Sequence, residues 1–237
     1  MKISVCLVSY NGQLFIEQQI KSILAQLSEY DELIVSDDCS TDKTLEIVET
    51  LNDKRIKIFS GIRYGSPIRN FENALKHATG DVIFLSDQDD VWLPNKVKIM
   101  TSYFHQYDVV VSNCSIVDKE LNIIKDSFFL SVNTRKGFFN NLYDNHYLGC
   151  CMAFKKKVLD IILPFPKKIA MHDIWIGLCA EAFYKSIFVD DVLLLYRRHG
   201  GNASPTSERS SACLLTKLWY RFYFLIQVGY RMLLWRR

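Results

Sequence analysis

An α/β fold, a Rossmann-like sheet flanked by helices, is the class this sequence predicts, on three observations. Short apolar runs alternate with segments of helical period through the first half of the chain. The acidic and polar residues of that half cluster directly after the apolar runs, where an open sheet places its ligand. The chain has 237 residues, 49% of them hydrophobic and 23% charged, which suits one large domain and leaves no compositional sign of disorder or repeats.

The elements follow in order. Residues 3–8 form the first expected strand, after which Phe15, Ile16, Ile20, Ile23, Leu24 and Leu27 recur at helical spacing. A second strand at 32–36 precedes the helical set Leu45, Val48 and Leu51. A third at 56–59 precedes Phe71, Ala74, Leu75 and Ala78, and strands at 82–86 and 108–112 complete this half. From residue 113 the pattern is mixed, with a strand at 149–154, a helix at 174–184 and a strand at 191–197. The expected organisation is therefore a domain over residues 1–200, divided near 112/113, then a Gly/Ser-rich linker at 201–212 and a C-terminal helix at 213–237.

That last segment interleaves aromatic and basic side chains. Lys217, Arg221 and Arg231 interrupt its apolar run, which disfavours a spanning helix and leaves two readings. One is an amphipathic helix lying in the membrane interface, in peripheral contact with the inner face of the cytoplasmic membrane. The other is a helix packed on the body or on a second subunit.

A formal charge of +3 with no basic stripe argues against nucleic acid as a partner. Seven cysteines, an odd number without zinc spacing and in part within apolar runs, point to a reducing, cytoplasmic compartment. The first apolar run passes straight into Ser9-Tyr10-Asn11-Gly12, so no signal peptide is expected, and the Asn-x-Ser triplets at Asn113 and Asn202 read as chance matches.

Three polar constellations carry chemistry. Asp87-Gln88-Asp89-Asp90 packs three carboxylates into four residues after a buried-looking strand, a pattern that suits Mg2+ or Mn2+ held together with a substrate's phosphates; the alternative is a solvated turn whose Asp90 caps the next helix. Asp37-Asp38 can accept hydrogen bonds from a nucleobase or ribose, or form a turn before a helix that Asp42 caps. His172-Asp173-Ile174-Trp175 opens an apolar helix, where Asp173 either caps it or projects from its first turn. His199, a lone histidine beside two arginines, either has a structural role, as lone histidines usually do, or, in its polar, glycine-flanked setting, adds nitrogen to an oxygen-rich metal site. Gly12 stands alone, so no glycine-rich phosphate loop is present and diphosphate charge is expected to be neutralised mainly by metal.

Val8-Ser9-Tyr10-Asn11, Ser36-Asp37-Asp38-Cys39-Ser40-Thr41-Asp42, Gly80-Asp81, Asp87-Gln88-Asp89-Asp90-Val91-Trp92 and His172-Asp173-Ile174-Trp175, in this order, together resemble glycosyltransferase family 2 over about residues 2–200. The resemblance implies a GT-A type mixed sheet, with residues 1–112 as the nucleotide-binding half and 113–200 as the acceptor half. It implies an inverting transfer from a nucleotide-sugar donor to a hydroxyl of a bacterial surface glycan, the acceptor being a glycan or a lipid-linked glycan. Val8 and Tyr10 would meet the nucleoside, Asp38 the base and Asp87 the ribose, with Asn70 and Gln88 on the donor side. Asp89 would bind Mg2+ or Mn2+, His199 would complete the metal shell, and Asp173 would be the general base. The family more commonly has Glu-Asp where this chain has His172-Asp173; His-Asp followed by tryptophan resembles the rhamnosyltransferase-like branch, with dTDP-rhamnose or a UDP-hexose as donor. Two rival readings of the same residues are a metal-dependent nucleotide-sugar phosphohydrolase and a non-catalytic nucleotide- or sugar-binding relative.

Overall fold

The computed structural model describes residues 1–200 and 213–235. The expected linker at 201–212, with Asn202, and residues 236–237 lie outside the described residues. The elements in chain order are β1 (Ile3–Ser9), α1 (Ile16–Leu24), β2 (Glu32–Asp37), α2 (Thr44–Thr50), β3 (Ile56–Phe59), α3 (Pro67–His77), β4 (Val82–Asp87), β5 (Val91–Trp92), α4 (Lys96–Ser102) and β6 (Val109–Val117). They continue with β7 (Ile123–Lys125), α5 (Phe128–Val132), α6 (Phe138–Tyr143), β8 (Met152–Lys155), α7 (Leu159–Ile162), α8 (His172–Phe183), β9 (Ser186–Arg197) and α9 (Leu214–Trp235).

Among the described residues, nine strands form one mixed sheet in the order β3-β2-β1-β4-β8-β6-β9-β5, with β7 paired to β6. β1 lies parallel between β2 and β4 and is buried along its whole length, as expected of a strand covered by helices on both faces. Register aligns the strand ends that matter: Val8 pairs with Asp87 and Ser9 with Asp37, so the loops after β1, β2 and β4 open at one edge.

The second half departs from the expected boundaries for identifiable reasons. β6 runs to Val117 rather than 112 because its polar residues are buried and satisfied: Asn113 Nδ2 donates to Ser127 Oγ at 2.7 Å, and Ser115 Oγ donates to the Asp126 carbonyl at 2.8 Å. β9 begins at Ser186 rather than 191, since exposed Asp190 and Asp191 fall where the parallel pairing with β6 shifts register, between the Ser112–Val189 and Asn113–Val192 pairs. Residues 149–151 form a 3-10 turn before β8. α8 is apolar on most of its circumference and its core residues are buried, with Trp175 Nε1 donating to the Ile162 carbonyl at 2.9 Å.

α9 packs on the body by a narrow stripe, Phe224 and Val228, and Arg221 Nη2 donates to the Tyr143 carbonyl at 2.6 Å. Leu215, Trp219, Phe222, Ile226 and Leu233 face outward. No helix among the described residues is long and apolar enough to cross a membrane. All seven cysteines are free.

Candidate active site

A cleft of about 350 Å³ opens at the strand ends, lined among others by Val8, Tyr10, Asp38, Asn70, Asp87, Gln88, Asp89 and Asp173. Its wall at the ends of β1 and β4 is built from main chain held by side chains. Gln88 grips Tyr10 twice, accepting its N–H at 2.9 Å and donating to its carbonyl at 3.0 Å. This grip requires glycine at position 12, because a Cβ there would stand 2.2 Å from Gln88 Oε1. Asn70 is buried with its amide committed to the strand ends, donating to the Ser36 carbonyl at 2.9 Å and accepting from Ser36 Oγ. Asp38 Oδ1 accepts the backbone N–H groups of Tyr64 and Gly65. Asp37 turns inward instead, accepting from Ser9 Oγ at 2.8 Å and from the Ser40 N–H at 2.7 Å.

The acidic loop after β4 is not a solvated turn, and Asp90 does not cap α4, whose N-cap residue is Asn95. Asp90 is fully buried, accepting the Arg197 N–H at 3.1 Å on Oδ1 while Oδ2 has no hydrogen-bond partner. Burial and the charges of Asp89 and Asp87 hold its carboxyl well above the usual range, and burial with Asp89 and Asp173 raises Asp87 likewise. Carboxyl groups crowded into low dielectric stay charged only if a cation joins them. The loop fits one: carboxylate oxygens of Asp87 and Asp90 lie within 4.8 Å of each other beside a buried orphan oxygen, and Asp89 between them in sequence meets His199. His199 approaches the same loop, its Nε2 standing 2.8 Å from Asp89 Oδ2 with its ring 4.7 Å from that of Phe15, although it is not among the cleft-lining residues.

Across the cleft, Asp173 is not the N-cap of α8; that position is Met171, and Asp173 lies in the first turn with Oδ1 accepting the Ile174 N–H at 2.7 Å. Burial raises its pKa to about 7, a value suited to accepting a proton near neutrality. His172 beside it is buried, stacked on Phe71 with ring centroids 4.0 Å apart, and both ring nitrogens lack hydrogen-bond partners. Burial lowers its pKa to about 3, so it is neutral.

Three residues of the site went unassigned from sequence. Arg63, exposed at the cleft wall with its guanidinium 6.0 Å from the Tyr10 ring centroid, adds a cation to a site otherwise dominated by carboxylates. Its signal was its place between Gly61 and Gly65 in the loop after β3. His172 lines the cleft, and Arg197 sits behind the acidic loop.

Comparison with known proteins bears on the family and the fold. The chain is 27% identical over 246 residues to the dTDP-rhamnosyl transferase RfbG of Shigella flexneri, covering 91% of this chain and 81% of that protein. It is 30% identical over 167 residues to the Escherichia coli UDP-Glc:alpha-D-GlcNAc-diphosphoundecaprenol beta-1,3-glucosyltransferase WfgD, covering 69% and 64%. Among solved structures it superposes on residues 1–349 of Staphylococcus aureus TarS in complex with UDP-GlcNAc, with a TM-score of 0.74 at 21% identity over 96% of this chain and 66% of that one. The mannosyltransferase PcManGT of Pyrobaculum calidifontis, in complex with GDP-Man and Mn2+, gives a TM-score of 0.62 at 18% identity over 97% and 73%. The fold is therefore GT-A. With residues 4–163 matching the family model described as Glycosyl transferase family 2, this chain belongs to glycosyltransferase family 2.

Proposed function

We propose that this chain transfers a sugar from a nucleoside diphosphate donor, dTDP-rhamnose or a UDP-hexose, to a hydroxyl of a bacterial surface-glycan acceptor in one inverting displacement. The observation that carries the reading is the presence of Asp173 in the same cleft as Asp38, Asp87 and Asp89, close enough to Asp87 for the two charges to interact. The named activities of RfbG and WfgD support the donor classes, and that of WfgD supports a lipid-linked acceptor.

In this mechanism Val8 and Tyr10 border the nucleoside, Asp38 accepts from the base, Asp87 from the ribose, and Gln88 and Asn70 hold the walls. Asp89 and His199 would hold Mg2+ or Mn2+, which supplies charge neutralisation of the diphosphate leaving group. Asp173 takes the proton from the acceptor hydroxyl as that oxygen attacks the anomeric carbon, so no covalent enzyme intermediate forms. The outward apolar face of α9 supports attachment to the inner face of the cytoplasmic membrane, beside lipid-linked acceptors.

Asp173→Asn tests the reading, because asparagine keeps the shape and loses the proton acceptor. Turnover with a competent acceptor should fall by about 10² to 10⁴ with calorimetric donor affinity nearly unchanged. Near-wild-type turnover would remove Asp173 from the mechanism, and donor hydrolysis independent of acceptor would favour a phosphohydrolase.

A further inference from the structure

We infer that Arg197 is the positioning residue of the acidic loop, holding Asp89 where it can share a divalent cation with His199. The inference rests on the functional reading above and adds a residue that does not touch donor or acceptor in it. Arg197 ends β9 and is buried. Its guanidinium reaches three separate segments: Nε donates to the Asp89 carbonyl at 2.7 Å, Nη1 to the Lys119 carbonyl in the β6–β7 turn at 2.7 Å, and Nη2 to Gln18 Oε1 on α1 at 2.6 Å. Its own backbone N–H donates to Asp90 Oδ1. One residue thus fixes the main chain of Asp89 and the side chain of Asp90, each by a separate bond.

The aromatic neighbour makes the arrangement specific. The Arg197 guanidinium lies 4.8 Å from the Phe15 ring centroid, and the His199 ring contacts the same phenyl group. Phe15 therefore sets Arg197 and His199 relative to each other, and Arg197 sets Asp89 relative to both. A planar fork with donors in fixed directions is what three diverging acceptors require; a lysine ammonium keeps the charge but cannot span them. Charge also matters, since a buried cation directly behind three crowded carboxylates offsets part of their repulsion before any metal arrives.

The test titrates Mn2+ into the full chain in the presence of UDP or dTDP, with free Mn2+ read by electron paramagnetic resonance, alongside nucleotide affinity without metal and thermal melting. Groups that orient metal ligands commonly change metal affinity by about 10- to 100-fold when altered. Arg197→Lys should weaken Mn2+ binding by at least about tenfold while metal-free nucleotide affinity stays within about twofold. Gln18→Ala removes one bond at an exposed residue that carries no folding risk, and should shift Mn2+ affinity in the same direction by about two- to threefold. A folded Arg197→Lys protein with wild-type Mn2+ affinity overturns the inference, even if its melting temperature falls, because a merely structural role moves melting alone. Should that variant fail to fold, unchanged Mn2+ affinity in Gln18→Ala overturns it instead. Wild-type protein that takes no Mn2+ with either nucleotide would sink the functional reading and this inference together, whereas metal binding equal in wild type and both variants sinks this inference only.

Discussion

At the scale of single residues, His172 and Asp173 are neighbours with opposite acid–base biases, and their contributions to stability run against each other. His172 has its pKa lowered to about 3 by burial, so its stabilising effect is present above the unfolded value near 6.5 and is lost as pH falls toward 3. Asp173 has its pKa raised to about 7 by burial, so its contribution is present below 3.8 and is lost as pH rises through about 7. Between pH 7 and pH 5 the first loses roughly 2 kcal/mol and the second regains roughly 2 kcal/mol, and the pair is nearly silent in the wild type. Single replacements should unmask each half. Denaturant unfolding at the two pH values should show His172→Leu gaining stability at pH 5 relative to wild type and Asp173→Asn losing it; parallel pH dependence in all three proteins would dismiss the opposition. The sequence made Asp173 visible as a polar residue at the start of an apolar helix. It hid the state of Asp90, because three clustered carboxylates read equally well as a solvated turn until a strand 107 positions later, β9, is seen to cover them.

At the scale of elements, the loop between β1 and α1 depends on a contact across the sheet. Gly12 leaves room for Gln88, and Gln88 holds the Tyr10 main chain against the cleft. Gly12→Ala should displace the glutamine and weaken nucleotide binding by about tenfold, the scale of one broken hydrogen bond. In a Gln88→Ala background the same change should add almost nothing, since the obstacle is gone; additive effects, measured by calorimetry, would show the two residues to be independent. Sequence located β1 to β4 within a residue or so because each carries a run dominated by apolar side chains. It misplaced the ends of β6 and β9, where Asn113 and Ser115 are buried by specific partners and Asp190-Asp191 bulge outward. Hydrophobic periodicity carries no record of a polar residue whose hydrogen bonds are satisfied inside. The two-residue β5 and the short helices α5 and α6 likewise left no periodic trace.

At the scale of the whole molecule, α9 is held by a narrow stripe and presents a wide apolar one. Leu215, Phe222, Ile226 and Leu233 recur at spacings that share one helical face, all exposed. Replacing Leu215, Phe222 and Leu233 by serine should release the full chain from anionic vesicles in a sedimentation assay while leaving melting unchanged, because none of the three packs on the body; undiminished vesicle binding would rule out membrane contact through this face. Of the two sequence readings of the segment, packing on the body is seen along Phe224 and Val228, and the vesicle assay tests the other. The long reach of β9 has a separate consequence for exchanging parts between relatives. The family match spans residues 4–163, yet Asp173, Arg197 and His199 all follow it, and two of them contact the loop at residues 89–90. A hybrid spliced at the end of the match would pair one parent's strand-end loops with another parent's braces, so recombination between relatives has to keep residues 87–90 and 197–199 from the same parent.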